Sequence, residues 1–151
     1  MAGRLGLARL EALVEALDRE LNLTDSTLVD VKGVQYAAQA RTATVDGLTT
    51  GIIADGESFI NVTSANADHI MVLPTPTPGT IVWLAENGTT GFELRSSAPA
   101  SVGINGGTGA NAESAIAGAI TLVRCVCVSA TSWICTQFDA DGDESKVEQA
   151  A

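Results

Sequence analysis

A chain of 151 residues and 15.4 kDa has the size of one domain and enough material for a buried core. Its 8 Lys and Arg against 18 Asp and Glu give a net charge of −10. That leaves no basic stripe to neutralise a run of phosphates, which argues against nucleic acid and anionic lipid as partners. Hydrophobic residues at 46% exclude disorder over most of the length. Aromatics at 4% leave the core to Ala, Val, Ile and Leu, so a lone subunit buries little area per residue and gains from burial shared with other subunits.

The first pattern along the chain is Leu7, Leu10, Val14, Leu17 and Leu21, whose steps of three and four place one apolar seam on a helix. Ala8, Ala12 and Ala16 favour helix between them, and Glu11, Asp18 and Glu20 flank the seam. About two heptads form a short, isolated helix that is marginal in water, so the segment needs a surface to pack on. That surface is either its own domain or its symmetry copies. A position ahead of a β-rich body favours the copies, and makes these five residues the candidate oligomerisation site. Residues 1–26 are therefore expected to form a short amphipathic, coiled-coil-type helix for assembly or docking. Arg9, Glu11, Glu15, Asp18, Arg19 and Glu20 interrupt 5–23 where a secretory signal would be continuous. No run of about 18 apolar residues occurs that would span a membrane. The sequence thus predicts synthesis in a cytoplasm, no export by the general route and no membrane partner.

From Asn22 onward helical spacing is lost, and Thr and Val alternate with small and polar residues. Strands are expected over 27–32, 35–45, 51–54, 58–63, 69–73, 80–85, 92–95, 101–104, 120–128 and 132–138. Asp46-Gly47, Asp55-Gly56, Asn87-Gly88 and Asn105-Gly106-Gly107 punctuate them with residues suited to positive φ. Many short strands at near-regular spacing predict an antiparallel β-sandwich or barrel-like domain over 27–138. Pro74, Pro76 and Pro78 cannot donate to a ladder and predict a stiff crossover between sheets. The Gly- and Ala-rich stretch 108–118 predicts a loop or one weak helical turn, and no internal repeat is visible. Residues 139–151 predict an acidic, flexible tail. Asp139, Asp141 and Asp143 have the alternation of a calcium loop, but Gly142 falls at the wrong place and no glutamate follows at the needed distance.

Catalytic constellations are hard to assemble from these residues. Cys125, Cys127 and Cys135 are odd in number, which rules out a closed disulfide framework and predicts buried thiols. Cys125 and Cys127 would share one strand face, with Val126 and Val128 on the other. His69 is the only imidazole and sits beside Ile70 and Val72, the setting of a structural histidine. It supplies neither a zinc set nor a distinct base for a serine or cysteine nucleophile. Glu57, Glu86 and Glu93 are scattered among turns and strand ends, with nothing to make two of them converge as a glycosidase pair. The glycine-rich 103–109 lacks the lysine of a phosphate-binding loop. The sequence therefore predicts no catalytic residues, no cofactor, no metal site and no enzyme activity. Three Asn-X-Thr triplets, at Asn22, Asn61 and Asn87, are chance matches if the chain is not exported.

A long series of segments carries a resemblance. It comprises Gly56-Glu57-Ser58-Phe59-Ile60-Asn61-Val62-Thr63, His69-Ile70-Met71-Val72-Leu73-Pro74 and Pro78-Gly79-Thr80-Ile81-Val82. It continues through Phe92-Glu93-Leu94-Arg95-Ser96-Ser97, Ile104-Asn105-Gly106-Gly107 and Ala112-Glu113-Ser114-Ala115-Ile116. Over roughly 51–138 the chain resembles a β-structured module in virion proteins of tailed bacteriophages, which occur as capsid decoration (cement) or head-fibre subunits. The resemblance implies a homotrimer on the capsid surface, made in the host cytoplasm and bridging copies of the major capsid protein. It implies no catalytic residues. The alternative is a fibre or receptor-binding, carbohydrate-binding module. Such a tip presents exposed aromatics, whereas Trp83, Trp133, Tyr36 and the phenylalanines fall mostly within expected strands.

Overall fold

The computed structural model describes residues 36–86, 88–108, 113–118 and 120–149. The candidate helix with Leu7, Leu10, Val14, Leu17 and Leu21, and the strand expected at 27–32, lie outside them. The fold is mainly β. In chain order the strands are β1 (Ala38–Thr42), β2 (Phe59–Thr63), β3 (Ile70–Val72), β4 (Ile81–Glu86), β5 (Phe92–Arg95) and β6 (Gly103–Ile104). They continue as β7 (Glu113–Ile116), β8 (Ile120–Ser129), β9 (Ser132–Asp139), β10 (Glu144–Lys146) and β11 (Glu148–Gln149). A seven-stranded sheet has the order β1-β2-β4-β8-β9-β10, with β6 also beside β9, and a four-stranded sheet has the order β11-β7-β5-β3.

Alternation of apolar residues makes these strands and turns one face of each inward. Ile60 and Val62 in β2, Val82 and Leu84 in β4, Val123, Cys125 and Cys127 in β8, and Trp133 and Cys135 in β9 are buried. So are Met71 in β3, Phe92 and Leu94 in β5 and Ile116 in β7, and both sets belong to one core.

The expected antiparallel sandwich or barrel is corrected on two points. The sheets are mixed: β1 with β2, β2 with β4, β3 with β5 and β6 with β9 are parallel pairs. The seven-stranded sheet is also open, ending at β1 on one side and at β6 and β10 on the other, so no barrel closes. The cause is the winding. From β2 to β5 the chain alternates between sheets, and each return lays a strand parallel to the one before. Ala38 lies beside Phe59 and Phe59 beside Trp83, so successive circuits take 21 and 24 residues. In the other sheet Ile52 bridges Val72 and Val72 pairs Arg95, circuits of 20 and 23 residues. The chain thus contains a coil period that composition does not reveal. The 74–78 proline segment is one of its crossovers, joining β3 to β4 in the other sheet as expected.

Three further expectations change. Residues 49–51 form a 3-10 turn, and Ile52 contributes a single bridge instead of a strand over 51–54. Within 108–118, β7 pairs antiparallel with β5 and buries Ser114 and Ile116. Gly91, at φ 80, makes this approach possible, since a Cβ there would fall 2.3 Å from the Ile116 carbonyl oxygen. In the stretch read as a flexible tail, β10 pairs with β9, β11 pairs with β7, and Val147 between them is fully buried.

Candidate interaction surface

The residues that face away from the core on the seven-stranded sheet form three rows across its strands. Ile81, Val126 and Ile134 are in register in one row. Ala38, Phe59, Trp83, Arg124, Thr136 and Lys146 make the next. Ala40, Asn61, Ala85, Leu122, Phe138 and Glu144 make the third. On the inward face apolar residues are expected; here they occupy the outward one as well. Ile81 and Ile134 are 42% and 44% exposed, and Val128, farther along β8 on the same side, is 53% exposed. Phe59, Trp83, Leu122, Val126 and Phe138 are half-buried among their neighbours.

Charge on this face is sparse. The Arg124 guanidinium lies 6.0 Å from the centre of the Trp83 ring, within cation–π range. Its outer nitrogen reaches Glu144 Oε1 at 3.5 Å. Arg124 Nε and Thr136 Oγ1, in register on adjacent strands, are buried without a hydrogen-bond partner. With Lys146, the strand residues of this face carry two cations and one carboxylate, in a chain whose net charge is −10. A groove of about 460 Å³ continues the surface over the edge of β9, lined by Ile134, Thr136, Glu144 and Lys146 with Asn105 and Cys135 beneath.

A second apolar patch lies at the edge of the four-stranded sheet. Leu48 and Ile52 are exposed beside Val72, Pro74, Arg95 and Pro99 around a groove of about 360 Å³. Arg95 there forms an ion pair with Glu113, its register partner.

The candidate catalytic groups do not come together. Glu57 forms an ion pair with Arg41 and accepts a hydrogen bond from Ala54 N–H at 2.9 Å. The Arg41 guanidinium holds the Glu57 carboxyl below its ordinary range, against the opposing effect of burial. Glu86 accepts from Gly91 N–H at 3.3 Å, and its other oxygen is buried without a partner, so burial raises its pKa. Glu93 sits in β5 between Ile70 and Ala115. No hydrogen bond joins the His69 ring to a serine, cysteine or carboxylate among the described residues, and its Nδ1 is buried without a partner. Among the same residues no cluster of His, Cys, Asp and Glu could hold a metal ion. Cys125, Cys127 and Cys135 are buried free thiols with Val128 on the opposite face, as the alternation of β8 requires.

Sequence reasoning placed its candidate assembly residues in the N-terminal heptads, which lie outside the described residues, and did not identify the outward rows. Ile81, Val126 and Ile134 look like core residues in a linear reading. Their parity against Cys125 and Cys135 was the available signal, but it needs the strand order to become a surface. Comparison with protein-family models, with curated proteins and with solved structures gave no match for this chain.

Proposed function

We propose that this chain is a virion structural protein of a tailed bacteriophage, a homotrimeric decoration or cement subunit that binds the outside of the capsid and stabilises the coat lattice, with the outward face of the seven-stranded sheet as the place where copies meet. One observation carries the assembly part: a strongly acidic chain presents a broad β face rich in apolar residues, on which the strand residues carry only two cations and one carboxylate. Removing such a face from water contributes roughly 25 cal/mol per Å² of apolar area. Contiguous exposed apolar patches beyond a few hundred Å² mark association sites.

The occupant is a second copy of the same chain. Copies at −10 repel over most of their surfaces, and this face is where they approach at least electrostatic cost. It carries its own complement as well, since Arg124 and Lys146 of one copy can meet Glu144 of another. The three-fold arrangement and the major capsid protein as partner rest on the resemblance of 51–138 to phage head modules. The physical logic agrees: a subunit that binds the assembled lattice stabilises it by linkage, and three linked contacts raise the effective concentration of each.

Trp83, half-buried on the outward face beside Arg124, favours a second reading, a fibre or receptor-binding module that stacks sugars. The test is co-sedimentation of the purified protein with phage heads that lack it, against host cells and cell-wall glycans. Saturable binding to heads, with a rise in the temperature at which they release DNA, is the expected result. Binding to cells or glycans and not to heads replaces the first reading with the second.

A further inference from the structure

The three buried thiols are not equivalent. Cys125 lies directly opposite Cys135 on the β8–β9 hairpin, whereas Cys127 lies opposite Trp133. The directions of the backbone groups determine what kind of pair Cys125 and Cys135 make. Cys135 N–H donates to Asn105 Oδ1 at 2.8 Å, and Cys135 C=O accepts from Asn105 Nδ2 at 2.9 Å, so both point away from β8. On β8, Cys127 N–H donates to the Thr80 carbonyl at 2.9 Å and its carbonyl accepts from Gly79 N–H at 2.9 Å, both on the β4 side. Cys125, two residues back on the same strand and beside Val82, points its backbone the same way. Neither cysteine hydrogen-bonds the other through the backbone. The pair is therefore the non-hydrogen-bonded type, with Cα atoms about 4.5 Å apart and converging side chains. That separation lies within the range a disulfide spans, roughly 4.4–6.8 Å.

Both side chains point into the core, at 0% and 1% exposure. Burial pushes the Cys125 thiol well above its ordinary range, and the neighbouring Cys135 thiol adds to the rise. Cys127 has a different partner: its thiol donates to the Ser129 carbonyl at 3.1 Å.

We propose that Cys125 and Cys135 are a disulfide-forming pair, closed by exchange with a small-molecule disulfide, and that Cys127 stays a thiol. The thiolate of one cysteine attacks the reagent RSSR and releases one RS⁻. The second cysteine then displaces the other RS⁻ from the mixed disulfide, so two protein thiols and RSSR give one protein disulfide and two RSH. In the folded, reduced chain both sulfurs are covered, so exchange waits for the hairpin to open or for the chain to fold. The inference concerns the hairpin alone and stands independently of the capsid reading. If that reading holds, a chain made reduced in a cytoplasm would gain the staple after release into an oxidising medium.

The test uses the full chain, refolded from denaturant in a buffer rich in oxidised glutathione, then quenched, alkylated while unfolded and cleaved at its two tryptophans, Trp83 and Trp133. The expected product is lighter by one H2 and has lost two of its three alkylatable thiols, with the label on Cys127 alone. Cleavage at Trp83 frees 1–83, which has no cysteine; 84–133 and 134–151 stay joined until reduced, because Trp133 lies between the bridged cysteines. Cys127→Ala should keep the bridge and Cys135→Ser should lose it. Three alkylated thiols in the wild-type chain, or a bridge that includes Cys127, overturns the proposal. The wild-type result decides, so a variant that fails to fold leaves the test intact.

Discussion

Asn105 does with a side chain what a strand residue does with its peptide group. The edge of β9 away from β8 is paired by β6 as far as Trp133 and by β10 from Thr136 onward, which leaves Cys135 without a strand partner on that side. The Asn105 amide fills the gap, accepting from Cys135 N–H and donating to Cys135 C=O, with a further donation to Val147 C=O at 3.3 Å. Its φ of 51 is one that asparagine tolerates better than most residues, and Gly106 follows at φ 89. Asn105→Ala should lower the free energy of unfolding by about 2–4 kcal/mol, because buried backbone groups of β9 lose their partners. Asn105→Asp should cost at least as much, since a carboxylate cannot donate to the two carbonyls. Urea unfolding of the three proteins checks both, and a loss under about 0.5 kcal/mol for the alanine variant would mean that other groups replace the amide. The sequence made Asn105-Gly106-Gly107 legible as a turn, which it is. It could not reveal a bond to a residue 30 positions away, because local turn chemistry is the same whether or not a strand edge waits beyond it.

At the scale of elements, β1 is an edge strand whose five residues are mostly exposed, so a long-range tie matters to it. The tie is Arg41 with Glu57, the latter also held by Ala54 N–H. The folded-state pKa of Glu57 is depressed below its ordinary 4.5, so its contribution is fully present above that value. It fades as pH falls through the depressed value, where the folded carboxylate takes up its proton. Glu57→Gln should therefore destabilise the protein by about 0.5 kcal/mol at pH 7, a figure kept small for a pair open to solvent, and the difference should vanish in the acid limb. Urea unfolding at several pH values measures the convergence, and curves that stay parallel down to the acid limb would remove Glu57 as the cause. Strand positions were largely legible: β2, β4, β5, β8 and β9 lie within a residue or two of the expected ranges because two-residue alternation is a local property. Partners and directions were not. Asp46-Gly47 and Asp55-Gly56 turn corners between the sheets, whereas the long β8–β9 hairpin turns through Ala130 and Thr131 without either dipeptide. A glycine that permits positive φ does not record whether the next strand returns beside the last one or crosses to the other sheet. β7 and the buried Val147 escaped for a related reason: Ser114-Ala115-Ile116 and Val147 are too few apolar residues to show a period.

At the scale of the whole molecule, the outward face and the heptad seam make different demands on assembly, and one substitution separates them. Ile134 is 44% exposed in the row Ile81, Val126, Ile134. In a single subunit Ile134→Glu places a carboxylate in water at a site where surface changes typically cost less than about 0.5 kcal/mol. Between copies the same carboxylate must lose its water, and each copy brings another, so repulsion adds to desolvation. Light scattering should therefore give three times 15.4 kDa for the wild-type chain and 15.4 kDa for Ile134→Glu, with the far-ultraviolet β signal unchanged. Val45→Glu, at a residue 76% exposed in the corner after β1, adds the same charge away from this face and should keep the wild-type mass. If the chain is the proposed decoration subunit, capsid binding should fall with the mass, because three linked weak contacts become single ones. Removal of residues 1–23 completes the comparison: a trimer that survives it but not Ile134→Glu is held by the sheet, which leaves the N-terminal segment available for the proposed docking on the shell. The reverse pattern, wild-type mass for Ile134→Glu and a lower mass on truncation, would move the interface to Leu7, Leu10, Val14, Leu17 and Leu21. The outward face would then be left to meet the proposed coat-protein partner, whose surface would have to supply the apolar cover that the sheet lacks among the described residues.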